Sequence, residues 1–301
     1  MSWKLSATAS KPEIEAALDR RETIIGWDEH IVLTGFEIDP EEPDLWRLDA
    51  YTKEKPDKNQ RTAVKALFVG RAPPIVAEKL PQTDWVAESQ KGVDPICAGR
   101  FHVHTPDHPP SGAPGLVNFC IPAAQAFGTG QHETTAGCLA MLDAMKKRGV
   151  TPHDVADIGT GTGLLAFAAM HLWQGAYTTA SDIDELCLPA VIDNAALNEI
   201  ELGSGRGQLS MLIADGMEDE FLQQRAPFDL LIANILAGPL IALAPEFVQS
   251  VAPRGSIILA GLLSSQEAGV RKAYHKEGFR LQHRIINGDW SILWLRHRFA
   301  G

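Results

Sequence analysis

Asp157-Ile158-Gly159-Thr160-Gly161-Thr162-Gly163-Leu164 follows an apolar run and opens an Ala/Leu-rich stretch, so it reads as the turn from a buried strand into a helix. Glycines at alternate positions let the backbone turn tightly and leave room for a ligand where a Cβ would collide. A nucleotide-type cofactor is implied. The dinucleotide fingerprint needs a glycine three positions after Gly161, but Leu164 stands there, which disfavours NAD. Asp157, ahead of the first glycine, would repel a pyrophosphate and attract an ammonium group. S-adenosylmethionine has that ammonium and no phosphate, so it is the expected cofactor, with Gly159 and Gly161 as backbone contacts.

Strand and helix alternate outward from this turn. Apolar runs at 155–157, 175–182, 228–234 and 255–260 are each followed by a helical stretch, the pattern of a parallel sheet covered on both faces. A helix over 135–147 precedes them. The end differs: 279–286, then Asn287-Gly288, then 291–297 is strand, turn, strand, with the last strand antiparallel to its neighbour. The fold class is α/β with a Rossmann-like sheet.

Three more motifs fall where such a sheet binds ligands. In Ser181-Asp182-Ile183-Asp184, Asp182 lies 23 residues after Gly159, near the spacing at which an acid accepts hydrogen bonds from ribose hydroxyls. Asp184 reads as the start of the next helix. Asn234 ends the run that begins at Asp229, at the carboxyl end of its strand. Its amide carbonyl suits an attacking amine, which makes it the candidate catalytic residue, although an Asn there also suits a cap for a helix over 235–247. Phe127-Gly128-Thr129-Gly130-Gln131-His132-Glu133-Thr134-Thr135 reads as a mobile loop at a helix N-terminus, suited to covering a bound ligand, with Thr134 or Thr135 equally suited to capping.

Taken in order and spacing with Ala233-Asn234-Ile235-Leu236-Ala237-Gly238-Pro239-Leu240, these motifs resemble the ribosomal protein L11 methyltransferase family, PrmA, over residues 84–301. The resemblance implies a seven-stranded class I methyltransferase domain behind a small substrate-recognition domain. It also implies cofactor contacts at Thr135, Gly159, Asp182 and Asn234, and transfer of methyl groups from S-adenosylmethionine to amino groups of a large-subunit ribosomal protein, on lysine side chains or the α-amine. The alternatives are a class I methyltransferase acting on RNA or a small molecule, and a non-catalytic cofactor-binding module in ribosome assembly.

The 301 residues suit about two domains. The first 70 read as strand 3–8, helix 12–18, strands 31–38 and 46–51, and helix 59–68, a small α+β sandwich taken as the N-terminal substrate-recognition domain. Pro73, Pro74 and Pro81 mark 71–91 as a linker. Residues 92–301 form the methyltransferase domain, entered through strands at 99–104 and 116–121 around a Pro-rich turn.

Hydrophobic residues at 45% and charged residues at 22% exclude a disordered, collagen-like or disulfide-scaffold chain. No apolar stretch approaches the roughly 20 residues of a membrane span. Lys4, Lys11, Glu13, Glu15 and Asp19 break up the N-terminus, which reads as part of a cytoplasmic protein's fold. Cys97, Cys120, Cys138 and Cys187 are dispersed and read as reduced thiols. His102, His104 and His108 lack an acid or cysteine at ligand spacing, so no metal is expected. The net charge of −11 and the acidic run Glu37, Asp39, Glu41, Glu42 and Asp44 argue against direct nucleic-acid binding.

Overall fold

Leu230, Leu231, Ile232 and Ala233 are consecutive and fully buried, which a strand achieves in the middle of a sheet covered on both faces. That sheet belongs to the second of two compact units, Val86–Gly301; the first is Met1–Trp85. The computed structural model describes residues 3–21, 27–28, 31–38, 44–52, 54–70, 72–79, 94–122 and 131–297.

The first unit contains β1 (Trp3–Ser10), α1 (Lys11–Arg20), β2 (Val32–Glu37), β3 (Leu45–Thr52), α2 (Lys58–Ala66) and β4 (Val76–Lys79), with the strands in the antiparallel order β2-β3-β1-β4. Leu5 and Ala7 of β1 meet Leu48 and Ala50 of β3, and Ile14, Ala17 and Val64 of the helices close the core. Asp57 and Gln60 form a reciprocal capping box that starts α2: the Gln60 N–H donates to Asp57 Oδ1 at 2.7 Å and the Asp57 N–H to Gln60 Oε1 at 3.2 Å. Strand β4 corrects the linker reading of 71–91. Pro73 and Pro74 precede this edge strand and lie outside its ladder.

The second unit begins with β5 (Ile96–Ala98), β6 (Phe101–His104) and β7 (Val117–Cys120), of which β6 and β7 run parallel, so residues 105–116 cross back rather than close a hairpin. Then follow α3 (Gln131–Lys147), β8 (Asp154–Ile158), α4 (Leu164–Leu172), β9 (Tyr177–Asp182), α5 (Cys187–Leu197), β10 (Leu209–Ile213), α6 (Glu220–Arg225) and β11 (Phe228–Asn234). The chain finishes with α7 (Ala237–Ala242), α8 (Ala244–Gln249), β12 (Val251–Leu263), α9 (Glu267–Lys276), β13 (Phe279–Asn287) and β14 (Trp290–His297).

The large sheet has seven strands in the order β10-β9-β8-β11-β12-β14-β13. Only β14 runs against the others, pairing antiparallel with both β12 and β13. The expected seven-stranded architecture is present. Alternate residues of β11 enter different cores: Leu230 and Ile232 join the cluster that includes Leu142 of α3 and Phe167 of α4, while Leu231 and Ala233 join the one that includes Leu240 and Phe247 of α7 and α8. Helix α4 is apolar almost all round, with eight buried residues between Leu164 and Leu172, so burial against the sheet holds its N-terminus, and the glycine turn before it, in place.

Candidate functional site

The registers of three central strands line up the candidate residues. Ile158 pairs with Ser181 on β9, and Ala233 on β11 pairs with Ile158, so Gly159, Asp182 and Asn234 are each the next residue outward at the carboxyl edge. That edge, beside the point where strand order reverses, is where a doubly wound sheet takes its ligand.

Gly159, Gly161 and Gly163 have φ of +73°, +57° and +84°, the left-handed region that favours glycine. The Gly159 and Thr160 N–H groups both donate to the Ser181 carbonyl, at 2.8 and 3.0 Å. A Cβ on Gly159 would collide with the Ile235 side chain and one on Gly163 with Phe167, whereas a Cβ on Gly161 would meet nothing within 4 Å. Two of the glycines thus serve packing, and Gly161 fronts open space. Its N–H donates to Asp182 Oδ2 at 2.8 Å.

Asp182 also accepts from the Asp184 N–H at 3.1 Å through Oδ1. A carboxylate has about four acceptor positions, so it keeps capacity for ribose hydroxyls. Asp184 accepts from the Leu186 N–H at 2.9 Å. Helix α5 starts at Cys187 with Leu186 as N-cap and no side-chain bond, so Asp184 shapes an Asx turn ahead of the helix instead of capping it.

Asp157 is 1% exposed. Oδ2 accepts from Thr160 Oγ1 at 2.6 Å and from the Ala166 N–H at 3.1 Å. Oδ1 is buried with no partner among the described residues. Burial, reinforced by the nearby charge of Asp182 and opposed by the hydrogen bonds from Thr160 and Ala166, pushes its carboxyl up to about 7. A cation brought to Oδ1 would relieve that penalty.

The Asn234 side chain donates from Nδ2 to Thr135 Oγ1 at 3.4 Å, which brings together two residues 99 positions apart. Its Oδ1 has no hydrogen-bond partner among the described residues. The helix after it begins at Ala237 with Leu236 as N-cap and no side-chain bond, so Asn234 does not cap it. Asn287 Nδ2 donates to the Glu133 carbonyl at 2.9 Å and ties the first turn of α3 to the end of β13. Residues 127–130 of the expected loop lie outside the described residues, as do Asp39, Glu41 and Glu42 of the acidic run.

Two asparagines that the sequence reading passed over connect these parts. Asn194 Nδ2 donates to the Thr162 carbonyl in the glycine turn at 3.0 Å. Asn198 holds the end of β7, accepting from the Cys120 N–H at 2.7 Å and donating to the Cys120 carbonyl at 2.8 Å. Their signal was two poor helix formers four residues apart on one helix face. Asp215 was also missed; it lies exposed just beyond β10, whose Ile213 pairs with Asp182.

Burial, with Asp182 and Asp184 adding to it, pushes the Cys187 thiol up to about 12, so it is a neutral thiol beside the site rather than a nucleophile. His102 Nδ1 is hydrogen-bonded to Asn118 Oδ1 at 2.8 Å and His104 Nδ1 to the Thr105 carbonyl at 2.8 Å. Among the described residues no group of three His, Cys, Asp or Glu side chains is placed to hold a metal ion.

The family model for ribosomal protein L11 methyltransferase (PrmA) matches residues 19–298. A ribosomal protein L11 methyltransferase of Agrobacterium fabrum is 36% identical over 298 residues, 97% of this chain and 98% of that protein. One from Rhizobium meliloti is 36% identical over 294 residues, again 97% and 98%. The crystal structure of ribosomal protein L11 methylase from Lactobacillus delbrueckii subsp. bulgaricus matches with a TM-score of 0.57 and 28% identity, over 68% of this chain and all of that one. With its glycine turn, acidic second strand and terminal Asn on one sheet edge, the chain belongs to the ribosomal protein L11 methyltransferase family, S-adenosylmethionine-dependent methyltransferases of a large-subunit ribosomal protein.

Proposed function

We propose that this enzyme methylates amino groups, lysine side chains or the α-amine, of ribosomal protein L11, the substrate for which its relatives are named. The observation that carries the residue assignments is the row of Gly159, Asp182 and Asn234 across three adjacent strand ends. The site fits the cofactor: Gly161 fronts open space, Asp182 retains acceptor positions, and Asp157 has a buried oxygen still unclaimed. When bound, S-adenosylmethionine supplies an electrophilic methyl group on a sulfonium sulfur.

The residues around it divide the remaining work. Asp182 accepts from the ribose hydroxyls while fixing the glycine turn through Gly161. Asp157 supplies the negative charge that the α-ammonium group requires. Thr135 takes one side of the Asn234 amide, which leaves Oδ1 to accept from the incoming amine, assisted by the backbone carbonyl of Ala233 or Asn234. Only a neutral amine has a lone pair to give. A lysine has a pKa of about 10.4 and an α-amine about 8, so desolvation must lower the nucleophile's pKa, and water then takes the proton. Alignment contributes much of the rest. The first unit, Met1–Trp85, serves as the substrate-recognition domain.

Turnover with methyl-labelled cofactor on isolated L11, other ribosomal proteins, and ribosomal RNA separately tests this. Label in amino groups of L11 is the expected result. Label in RNA or a small molecule would overturn the substrate, and cofactor binding without turnover on any of them would mark a non-catalytic module.

A further inference from the structure

Away from the methyl-transfer edge, cations gather on a chain whose overall charge is −11. A groove of about 730 Å³ beside α9 and β13 is lined by Arg271, Lys272, His275, Lys276 and Arg280, over a floor of Phe279, Leu281 and Leu295, and no carboxylate is among its described lining residues. Arg271 also pairs with the buried Glu267 at 3.2 Å. A second cavity, of about 280 Å³, lies at the amino ends of β8, β11 and β12 and is lined by Arg148, His153, Arg254 and Arg296. Its one acid, Asp229, is already engaged by the His153 N–H at 2.7 Å and the Asp154 N–H at 3.3 Å.

One residue of each cavity is a neighbour of the other in a cross-strand pair. Arg280 of the first stands directly opposite Arg296 of the second in the β13–β14 ladder, and Arg280 Nη1 donates to the His275 and Phe279 carbonyls at 3.1 and 2.9 Å. Arg296 Nε donates to the Arg254 carbonyl at 3.0 Å, which links the pair to the next cation. Arg254 itself sits at φ +65°, a region where glycine would be cheaper by about 1 kcal/mol. The fold thus keeps an arginine at a strained position within one line of cations.

We propose that this track is a docking surface for the phosphate backbone of RNA. Its extent over two cavities suits a polymer rather than a single small anion. Most of the cations are guanidinium groups, whose fork matches phosphate oxygens. The expectation from sequence that nucleic acid is not bound rested on total charge and an acidic run near the N-terminus. The track escapes that test because its residues come from four separate segments of the chain. It lies at the opposite sheet edge from Asn234, so occupation leaves the methyl-transfer site open.

The test is fluorescence anisotropy of a labelled mixed-sequence RNA of about 20 nucleotides, titrated with the full chain at about 50 and 200 mM salt. Two double variants probe the two cavities: Lys272→Gln with Lys276→Gln, and Arg148→Gln with Arg254→Gly, the glycine being suited to the backbone there. Each is expected to weaken RNA binding about tenfold and to reduce the logarithmic salt slope by about two, while methyl transfer to the protein substrate and cofactor affinity stay at wild-type values. Salt-independent binding, variants that bind like wild type, loss of methyl transfer in a folded variant, or a polyglutamate peptide that competes better than unlabelled RNA would each overturn the proposal.

Discussion

The two edges of the seven-stranded sheet carry opposite chemistry. At the carboxyl edge stand Asp157, Asp182, Asp184 and Asp215 with the glycine turn; at the amino edge stand Arg148, Arg254 and Arg296, where Asp154 and Asp229 are already engaged by Arg225 and by backbone N–H groups. The carboxyl edge is assembled from strand-to-helix turns, each a short contiguous stretch, so its residues are written in the sequence as motifs. The amino edge is where helices return to strands from many places, so its residues share space without sharing a motif. A parallel sheet therefore advertises one edge and conceals the other.

The largest effect is expected at Asn234. If its Oδ1 aligns the amine, Asn234→Ala lowers single-turnover methyl transfer by about 10²-fold or more, with a smaller loss of cofactor affinity, because alignment matters most in the transition state. Rapid-quench transfer and calorimetry on one preparation separate the two. Wild-type single-turnover rates would remove Asn234 from the mechanism and reduce this end of β11 to scaffold.

Asp182→Ala comes next. It removes the acceptor for the Gly161 N–H as well as for the ribose, so cofactor affinity should fall by about 1–3 kcal/mol, roughly tenfold to a hundredfold. Isothermal titration on the folded variant measures this directly. Unchanged affinity would mean that the second strand's acid only shapes the turn.

How far these sites were legible follows from how they are built. The glycine turn, Asp182 and Asn234 could be read because each ends an apolar run, and three adjacent runs put them in one row. Strand β10 could not be read. It is a short edge strand behind the glycine-rich stretch 203–207, and only Leu209 in it is fully buried, so its pattern is weak. Strand β4 was hidden because it is only four residues long and follows Pro73 and Pro74, which read as linker. Asn194 and Asn198 act through backbone carbonyls and amides, partners that no spacing rule names. The arginines of the amino edge had no pattern at all until the β13–β14 register set Arg280 against Arg296.

Asp157 gives a pH test of the acidic edge. Its folded-state value near 7 lies above the roughly 3.9 of an unfolded carboxyl, so between those values the folded chain holds the proton that the unfolded chain has lost. The stability that this group contributes is fully present below about pH 4 and is lost as pH rises through about 7, on the order of a few kcal/mol. Asp157→Asn removes the dependence. The variant's Tm minus that of wild type should therefore increase from pH 5 to pH 8 in the absence of cofactor. A bound ammonium group favours the ionised form, so wild-type cofactor affinity should rise over the same range while that of Asp157→Asn stays flat. A flat wild-type titration would remove Asp157 from ammonium recognition.

The smallest effect tests the basic edge by stability alone. Arg254 occupies the left-handed region at φ +65°, where a Cβ crowds the backbone and a glycine does not. Relief of that strain favours Arg254→Gly, while the greater freedom of glycine in the unfolded chain and the loss of the arginine's own side-chain interactions oppose it; where relief outweighs both, the net gain is about 0.5 kcal/mol. In a unit of this size that is an increase of about 1–2 °C in Tm. The alternative is that the Arg254 side chain is structural, in which case its lost contacts outweigh the relief and Tm falls. Differential scanning calorimetry at about 0.2 M salt, where repulsion among the neighbouring arginines is screened, separates the two signs. A rise means that the arginine is kept at a cost to the fold, as a ligand-facing cation would be. A fall means that the amino edge is held together by the same arginines that make it basic, and its contrast with the carboxyl edge is then one of architecture rather than of binding.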